Sequence, residues 1–345
     1  MSLKTVSANN ILIVRTDRIG DVVLSLPLAR SVKQALPASN ISFLLRDYTR
    51  RLALGNPFID KILTLKEKDS RPLIRNNVKF LSAFNFDTCI VVYPTFAIAL
   101  ILFLSRIKNR IGSGYRWYSF LFTHKIYEHR KDAKKHELEY NFNLLRFLGI
   151  SSEPSLNNLA FDLATDPDSE KFIDSLFSDF NISPQIPIII IHPGSGGSSV
   201  DLPLQKYREL LQEISKLDIQ IFLTGGSAEF QYCESVSSGF NTHNLAGKLD
   251  LGALISLINR STLFVSNSTG PLHIAAALGI FSVGFFPRIP ACSQKRWGPY
   301  TDKKAVFEPE IDCNNCSREQ CERLNCMNSI NINKVFSVIQ ERLKL

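Results

Sequence analysis

No apolar run in this 345-residue chain reaches the roughly eighteen residues a helix needs to cross a bilayer; the longest, Phe96 to Leu104, is half of that. The opening MSLKTVSANN passes straight into ILIVR, without the charged, apolar and small-residue succession of a secretion signal. Cysteine is sparse and odd in number, seven in all, three scattered and four clustered near the C-terminus. Together with the missing secretion pattern this predicts a reducing, cytoplasmic setting. Neither GxGxxG nor GxxxxGK[ST] occurs after a strand, which disfavours a nicotinamide oxidoreductase and a P-loop enzyme. Hydrophobic residues at 45% and charged residues at 21% exclude a disordered chain, a collagen-like repeat and a coiled-coil rod. At more than twice the length of a domain of about 150 residues, the chain is expected to form two domains.

Charge is unevenly spread. Between Arg106 and Lys135 stand nine Lys and Arg against Glu128 and Asp132, nearly the whole formal excess of +8. Tyr115, Trp117, Tyr118, Phe120, Phe122 and Tyr127 are interleaved with them. The stretch reads either as a solvated face over core aromatics, or as a surface for an anionic partner: nucleic acid, a membrane or a phosphorylated substrate.

Alternating strand and helix patterns fill both halves. ILIVR (11–15), ISFLLR (41–46), KILTL (61–65) and TCIVVY (88–93) read as strands in the first half, and IPIIIIH (186–192), QIFLTG (220–225), TLFVSN (262–267) and FSVGFF (281–286) in the second. Helical spacing starts at Asp21 with Val22, Val23, Leu26 and Ala29, and helices are expected over 203–216, 228–237, 251–259 and 271–278. Near-continuous apolar strands separated by helices imply parallel sheets covered on both faces. Residues 151–187, dense in Ser, Pro and Asp around one amphipathic stretch (172–180), read as the linker. Two such halves are expected to bind ligands in a cleft at the carboxyl ends of their strands.

Five motifs could carry chemistry. In Arg15-Thr-Asp-Arg-Ile-Gly20-Asp21 a strand turns into a helix; Asp21 either caps that helix or offers a carboxylate base. His192-Pro-Gly-Ser-Gly-Gly-Ser-Ser199 lets backbone N–H groups approach an anion, or forms a plain glycine turn. In Ser266–Gly279, Ser268 or Thr269 can cap, Pro271 suits a first helical turn, and His273 follows within it. Free N–H groups there could hold a diphosphate; alternatively His273 is an ordinary helix histidine. Glu229, just past a strand, could take ribose hydroxyls or simply answer a helix dipole. Cys313, Cys316, Cys321 and Cys326 could hold zinc, although only one pair is close in sequence and reduced thiols or occasional disulfides serve equally. The Gly-rich loops leave a nucleic-acid binder unexplained, so no nucleic acid is expected.

Taken in order, IVRTDRIGDVVLSLP (13–27), NRIGSGYR (109–116), HPGSGGS (192–198), LTGGSAE (223–229), SNSTGPLHIAAALG (266–279), RWGPY (296–300) and CMNSI (326–330) resemble the ADP-heptose–lipopolysaccharide heptosyltransferases, glycosyltransferase family 9. The resemblance spans essentially the whole chain. It implies an α/β fold of GT-B type, two Rossmann-like domains with parallel sheets facing across a cleft: an acceptor-binding domain over 1–165 and a nucleotide-sugar-binding domain over 166–345 with the Cys-containing tail. It implies inverting, metal-independent transfer of a heptose from ADP-heptose, or a related nucleotide-sugar, to the anionic inner core of lipopolysaccharide. No cofactor is implied, and the enzyme is expected in the cytoplasm, in peripheral contact with the inner membrane face. By position, Asp21 would be the general base. Ser195, Gly196, Gly197, Ser198, Glu229, Asn267, Ser268, Thr269, Gly270, Pro271 and His273 would bind the donor, and Arg15, Arg18, Arg110 and Arg116 the acceptor. The chain departs from the family pattern at Val200 and Leu202, where a Lys and a Trp are usual, and at Ser268, where Asp is usual. Both departures lie in the donor half and leave open a different donor, or a catalytically silent glycolipid-binding member.

Overall fold

The computed structural model describes residues 5–343 apart from 7, 152, 184, 314 and 315. The chain divides into two compact units, Met1–Arg130 with Glu137–Ala164, and Lys131–His136 with Thr165–Leu345.

In the first unit six strands form one parallel sheet: β1 (Asn10–Val14), β2 (Asn40–Leu45), β3 (Lys61–Thr64), β4 (Thr88–Val91), β5 (Asn109–Ser113) and β6 (His124–Ile126). Their spatial order is β3-β2-β1-β4-β5-β6. Strand β1 lies between β2 and β4, with Ile11 beside Ile41 on one side and Thr88 on the other. Residues 11–14 are fully buried, as a strand covered on both faces must be. On one face Leu12, Val14, Leu44, Cys89 and Val91 pack against Ile98, Ala99, Ile101 and Leu102 of the helix Phe96–Leu104.

The second unit repeats the plan with β7 (Ile188–His192), β8 (Gln220–Leu223), β9 (His243–Asn244), β10 (Leu263–Asn267), β11 (Phe281–Phe285) and β12 (Lys304–Phe307). The order is β9-β8-β7-β10-β11-β12, again all parallel. This is the doubly wound order in which the connections reverse direction beside the first strand, and ligands of such sheets bind beyond the strands' carboxyl ends at that reversal. In the first unit that position follows β1 and β4; in the second it follows β7 and β10.

The eight strands read from the sequence all form, within two residues at either end. Strands β5, β6, β9 and β12 escape the reading because they carry no run of buried apolar residues: β5 buries only Ile111 and Gly112, and none of the residues of β6, β9 or β12 is fully buried. The stretch 167–179 is not linker but a helix of the second unit. Asp166 caps it by accepting from the Ser169 N–H at 3.1 Å, and Pro167 opens it. Its Glu170 and Asp174 pair with Arg260 at the end of the helix Leu251–Asn259. The helical pattern from Asp21 is realised as two helices, Ile19–Val23 and Pro27–Ala35.

Candidate active site

Strand β1 ends at Val14, and Arg15 continues from it into the turn that starts the helix Ile19–Val23. The Arg15 side chain is only 2% exposed, so its guanidinium must find its counter-charges inside the protein. Nε donates to Asp17 at 2.7 Å, one terminal nitrogen to Asp21, and the other to Asn141 at 3.4 Å with Glu137 at 3.7 Å. Arg130 binds the same oxygen of Glu137 and donates to Asn141 at 3.0 Å. Asn141 in turn donates to the Leu24 carbonyl at 3.1 Å, fastening the helix Glu137–Phe142 to the end of the helix carrying Asp21.

Within this group two guanidiniums serve three carboxylates. Burial pushes the Asp17 carboxyl up to about 7, against the pull of Arg15 and with Asp21 and Glu137 adding to the push. Burial also works against the charge on Arg15 and is outweighed by Asp17, Asp21 and Glu137, so that guanidinium stays charged. Asp21 sits in the first turn of its helix, its carboxylate paired with Arg15.

All three guanidinium nitrogens of Arg15 meet groups of the chain itself. Arg110 turns its guanidinium onto the carbonyls of Ile107 and Leu121, the latter at 2.7 Å, and lies over the Phe103 ring; it fastens β5 to the following turn. Arg18 and Arg116 are exposed.

In the second unit the loop after β7 is shaped from below. Asn267, fully buried, accepts from the Leu202 N–H at 2.8 Å and donates to the Pro193 carbonyl at 2.6 Å. Both ends of its amide thus hold the loop from inside the protein. Ser198 donates to the Ser268 carbonyl at 2.9 Å, tying the loops after β7 and β10 together. Gly196 and Gly197 take φ of +54° and +73°, which a side chain would strain. A Cβ at Gly194 would fall on the Glu229 carboxylate. That carboxylate accepts from the Gly226 N–H at 2.7 Å and the Gly196 N–H at 3.3 Å, joining the loops after β7 and β8. Its remaining lone pairs can still receive hydroxyl donors.

Thr269 occupies the N-cap position of the helix Gly270–Ala277, yet its side chain does not cap; the hydroxyl lies 2.7 Å from that of Ser266 instead. The Thr269 side chain therefore leaves the N–H groups of the first turn uncapped, and the helix dipole favours an anion there. His273 in that turn is 4% exposed, and its Nδ1 has no hydrogen-bond partner among the described residues. Burial, with His136 nearby, drives its pKa down to about 3, so the ring is neutral. His192 is likewise held neutral, down to about 4 by burial with Glu229 opposing, its Nδ1 2.9 Å from the Thr224 hydroxyl.

These histidines set an acid limit. Each folded value lies below the ordinary 6.5, so the unfolded chain takes up more protons and stability is lost as pH falls below about 6.5. Asp17 and Asp201, pushed up to about 7 and about 6 by burial, have the opposite sign and offset the loss. His273→Gln is therefore expected to raise the melting temperature at about pH 5 relative to that at about pH 7, compared with the parent. Scanning calorimetry at both values checks this; an unchanged slope would show that His273 is not buried neutral.

Val200 and Leu202, where the family pattern has Lys and Trp, are core residues packed with Tyr207, Leu210 and Phe285. A cation reaches the loop from elsewhere: Arg318, on the helix Arg318–Arg323, donates to the Gly197 carbonyl at 2.7 Å and the Ser199 carbonyl at 2.8 Å. Beside it a cavity of about 340 Å³ is lined by Ser199, Asp201, Tyr232, Arg318, Asn325 and Met327. Neither Arg318 nor Asp201 was signalled by the sequence, because each gains its place through neighbours outside its own motif. The thiols of Cys313, Cys316, Cys321 and Cys326 are free, and Cys321 is pushed up to about 11 by burial with Cys326 beside it. Among the described residues no group of three or more His, Cys, Asp or Glu is arranged to hold a metal ion.

Comparison with known proteins agrees with this architecture. The family described as glycosyltransferase family 9 (heptosyltransferase) matches residues 74–327. A lipooligosaccharide heptosyltransferase 2 of Haemophilus ducreyi is 28% identical over 290 residues, 78% of this chain and 80% of that one. The crystal structure of a glycosyl transferase family 9 protein from Veillonella parvula superposes with a TM-score of 0.83 at 17% identity, covering 99% of both chains. The ADP-heptose lps heptosyltransferase II of E. coli does so at 0.75 and 19% identity, covering 97% of this chain and 98% of that one. The fold is thus of the GT-B type, with a Rossmann-like sheet in each unit.

Proposed function

Because the chain belongs to glycosyltransferase family 9, the heptosyltransferases, we propose that it moves a heptose from ADP-heptose to the inner core of lipopolysaccharide with inversion at the anomeric carbon. An acceptor hydroxyl oxygen attacks that carbon. The bond to the diphosphate oxygen breaks, its electron pair leaves with ADP, and the hydroxyl proton passes to Asp21. One carboxylate suffices, since a single displacement forms no sugar–enzyme intermediate. Arg15 holds Asp21 ready, and exposed Arg18 and Arg116 are suited to the anionic acceptor.

The observation that carries the donor half is the uncapped first turn of Gly270–Ala277 beside a buried, neutral His273. Its N–H groups, with the backbone of Ser195–Ser198 and Ser268, can take the negative charge that builds on the departing diphosphate, so the reaction needs no metal. Glu229 is suited to the ribose hydroxyls. The test is purified protein with ADP-heptose and a Kdo-bearing lipopolysaccharide core acceptor, with and without a chelator. A glycoside of inverted configuration, formed equally in both, is expected. Donor binding without transfer to any core acceptor would instead mark a silent member, and transfer lost on chelation and restored by a divalent ion would overturn the metal-free mechanism.

Arg318 bears on the same loop. Removing both of its carbonyl contacts with Arg318→Ala is expected to raise the KM for the donor by roughly three- to tenfold with kcat within about twofold, as loss of uniform binding does. Steady-state kinetics with the donor varied reads the split.

A further inference from the structure

The helix Phe96–Leu104 reads FAIALILFL and is apolar on every side. Its inner residues Ile98, Ala99, Ile101 and Leu102 fill the first unit's core. That leaves Phe96, Phe103 and Leu104 exposed on the outer side, with Arg110 lying over the Phe103 ring. The turn Trp117–Phe120 extends the same surface. Trp117 is 73% exposed and stacks on Phe96 with ring centres 4.9 Å apart, and Phe120 is 68% exposed. Large aromatics so displayed are what a membrane interface selects, because a ring can lie at the boundary between acyl chains and headgroups.

Charge decides what such a ridge meets. Residues 88–127 contain five Lys and Arg and no Asp or Glu. Arg106, Lys108 and Arg116 of these are exposed. A protein partner would bring charges of mixed sign, whereas a rim of one sign throughout complements a surface that is uniformly anionic. At nine residues the helix is about 13 Å long, far short of the roughly 30 Å core of a bilayer, and no helix among the described residues is long and apolar enough to cross a membrane.

We propose that the outer face of Phe96–Leu104, together with Trp117 and Phe120 and the rim of Arg106 and Lys108, is an interfacial surface that docks the first unit on an anionic lipid bilayer. Apolar side chains enter the headgroup boundary while the cations stay among the lipid phosphates. Two weak signals, apolar insertion and positive charge, act together and give reversible attachment. The inference deepens the reading in which the acceptor is lipid-linked and rests on it, but its test needs no turnover.

Sedimentation with phosphatidylglycerol-rich vesicles, set against pure phosphatidylcholine vesicles, measures it. The intact chain is expected to bind the former, and more weakly as salt is raised. Trp117→Ser/Phe120→Ser should lower that affinity by about tenfold or more, and Arg106→Glu/Lys108→Glu by a similar factor. Both variants change exposed side chains, so melting temperature and transfer to a detergent-free, delipidated core oligosaccharide should stay as in the parent. Equal binding to both vesicle types, no binding to either, or self-association in solution that Trp117→Ser/Phe120→Ser abolishes would each overturn the proposal, the last making the ridge a contact between copies. Loss of vesicle binding with transfer intact supports the surface; absent transfer with vesicle binding intact strikes only the catalytic reading.

Discussion

Asp21→Asn is expected to lower kcat by about a thousandfold, within the range general base catalysis supplies, while ADP binds as tightly as before. The amide oxygen of Asn can still accept from Arg15, so the turn after β1 keeps its geometry. What disappears is the capacity to take the acceptor's proton. The donor-side groups belong to the second unit and are untouched, so titration calorimetry with ADP should return the parent affinity. The two readouts separate chemistry from folding. Turnover preserved in Asp21→Asn would reduce the residue to a structural partner of Arg15, and lost ADP binding would trace the defect to misfolding.

The second large effect concerns Arg15 itself. Arg15→Leu leaves a buried Glu137 and half-buried Asp17 and Asp21 with Arg130 as the remaining cation named in that group. Removing one partner from a buried ion network costs about 3–5 kcal/mol, because the remaining charges are stranded in a poor solvent. For a unit of this size each kcal/mol moves the midpoint by roughly 2–4 °C, so the first unit should melt about 10 °C lower or more. The loss should be smaller near pH 5, where Asp17, already raised to about 7, is protonated and asks for no counter-charge. Calorimetry of the variant at acidic and neutral pH reads both effects. A melting temperature close to the parent's at neutral pH would mean the carboxylates simply take up protons when the guanidinium goes.

Side chains that look interchangeable in the sequence differ in what they meet in the fold. Thr269 and Asn267 look alike from the sequence, two small polar residues beside a Gly-Pro helix start. In the fold the Asn267 amide is used up holding Pro193 and Leu202, and the Thr269 hydroxyl meets Ser266 rather than capping. Arg15 and Arg110 read as cations for an anionic acceptor, whereas one serves three carboxylates and the other two backbone carbonyls.

From the linear chain alone came the alternation of buried strands and amphipathic helices, the doubly wound class, and the turns beyond β1, β7 and β10. These depend on side-chain period and on residues adjacent in sequence, as with Ile188–His192 or the Gly-Pro start at 270–271. Which polar group is used inside the protein and which is left for a ligand depended on partners more than a hundred residues away. Arg15 meets Glu137 and Asn141, and Arg318 meets Gly197 and Ser199. No local pattern encodes such pairings, because a hydrogen bond or ion pair is fixed by distance and burial in space, and those exist only once the sheets have closed their cores.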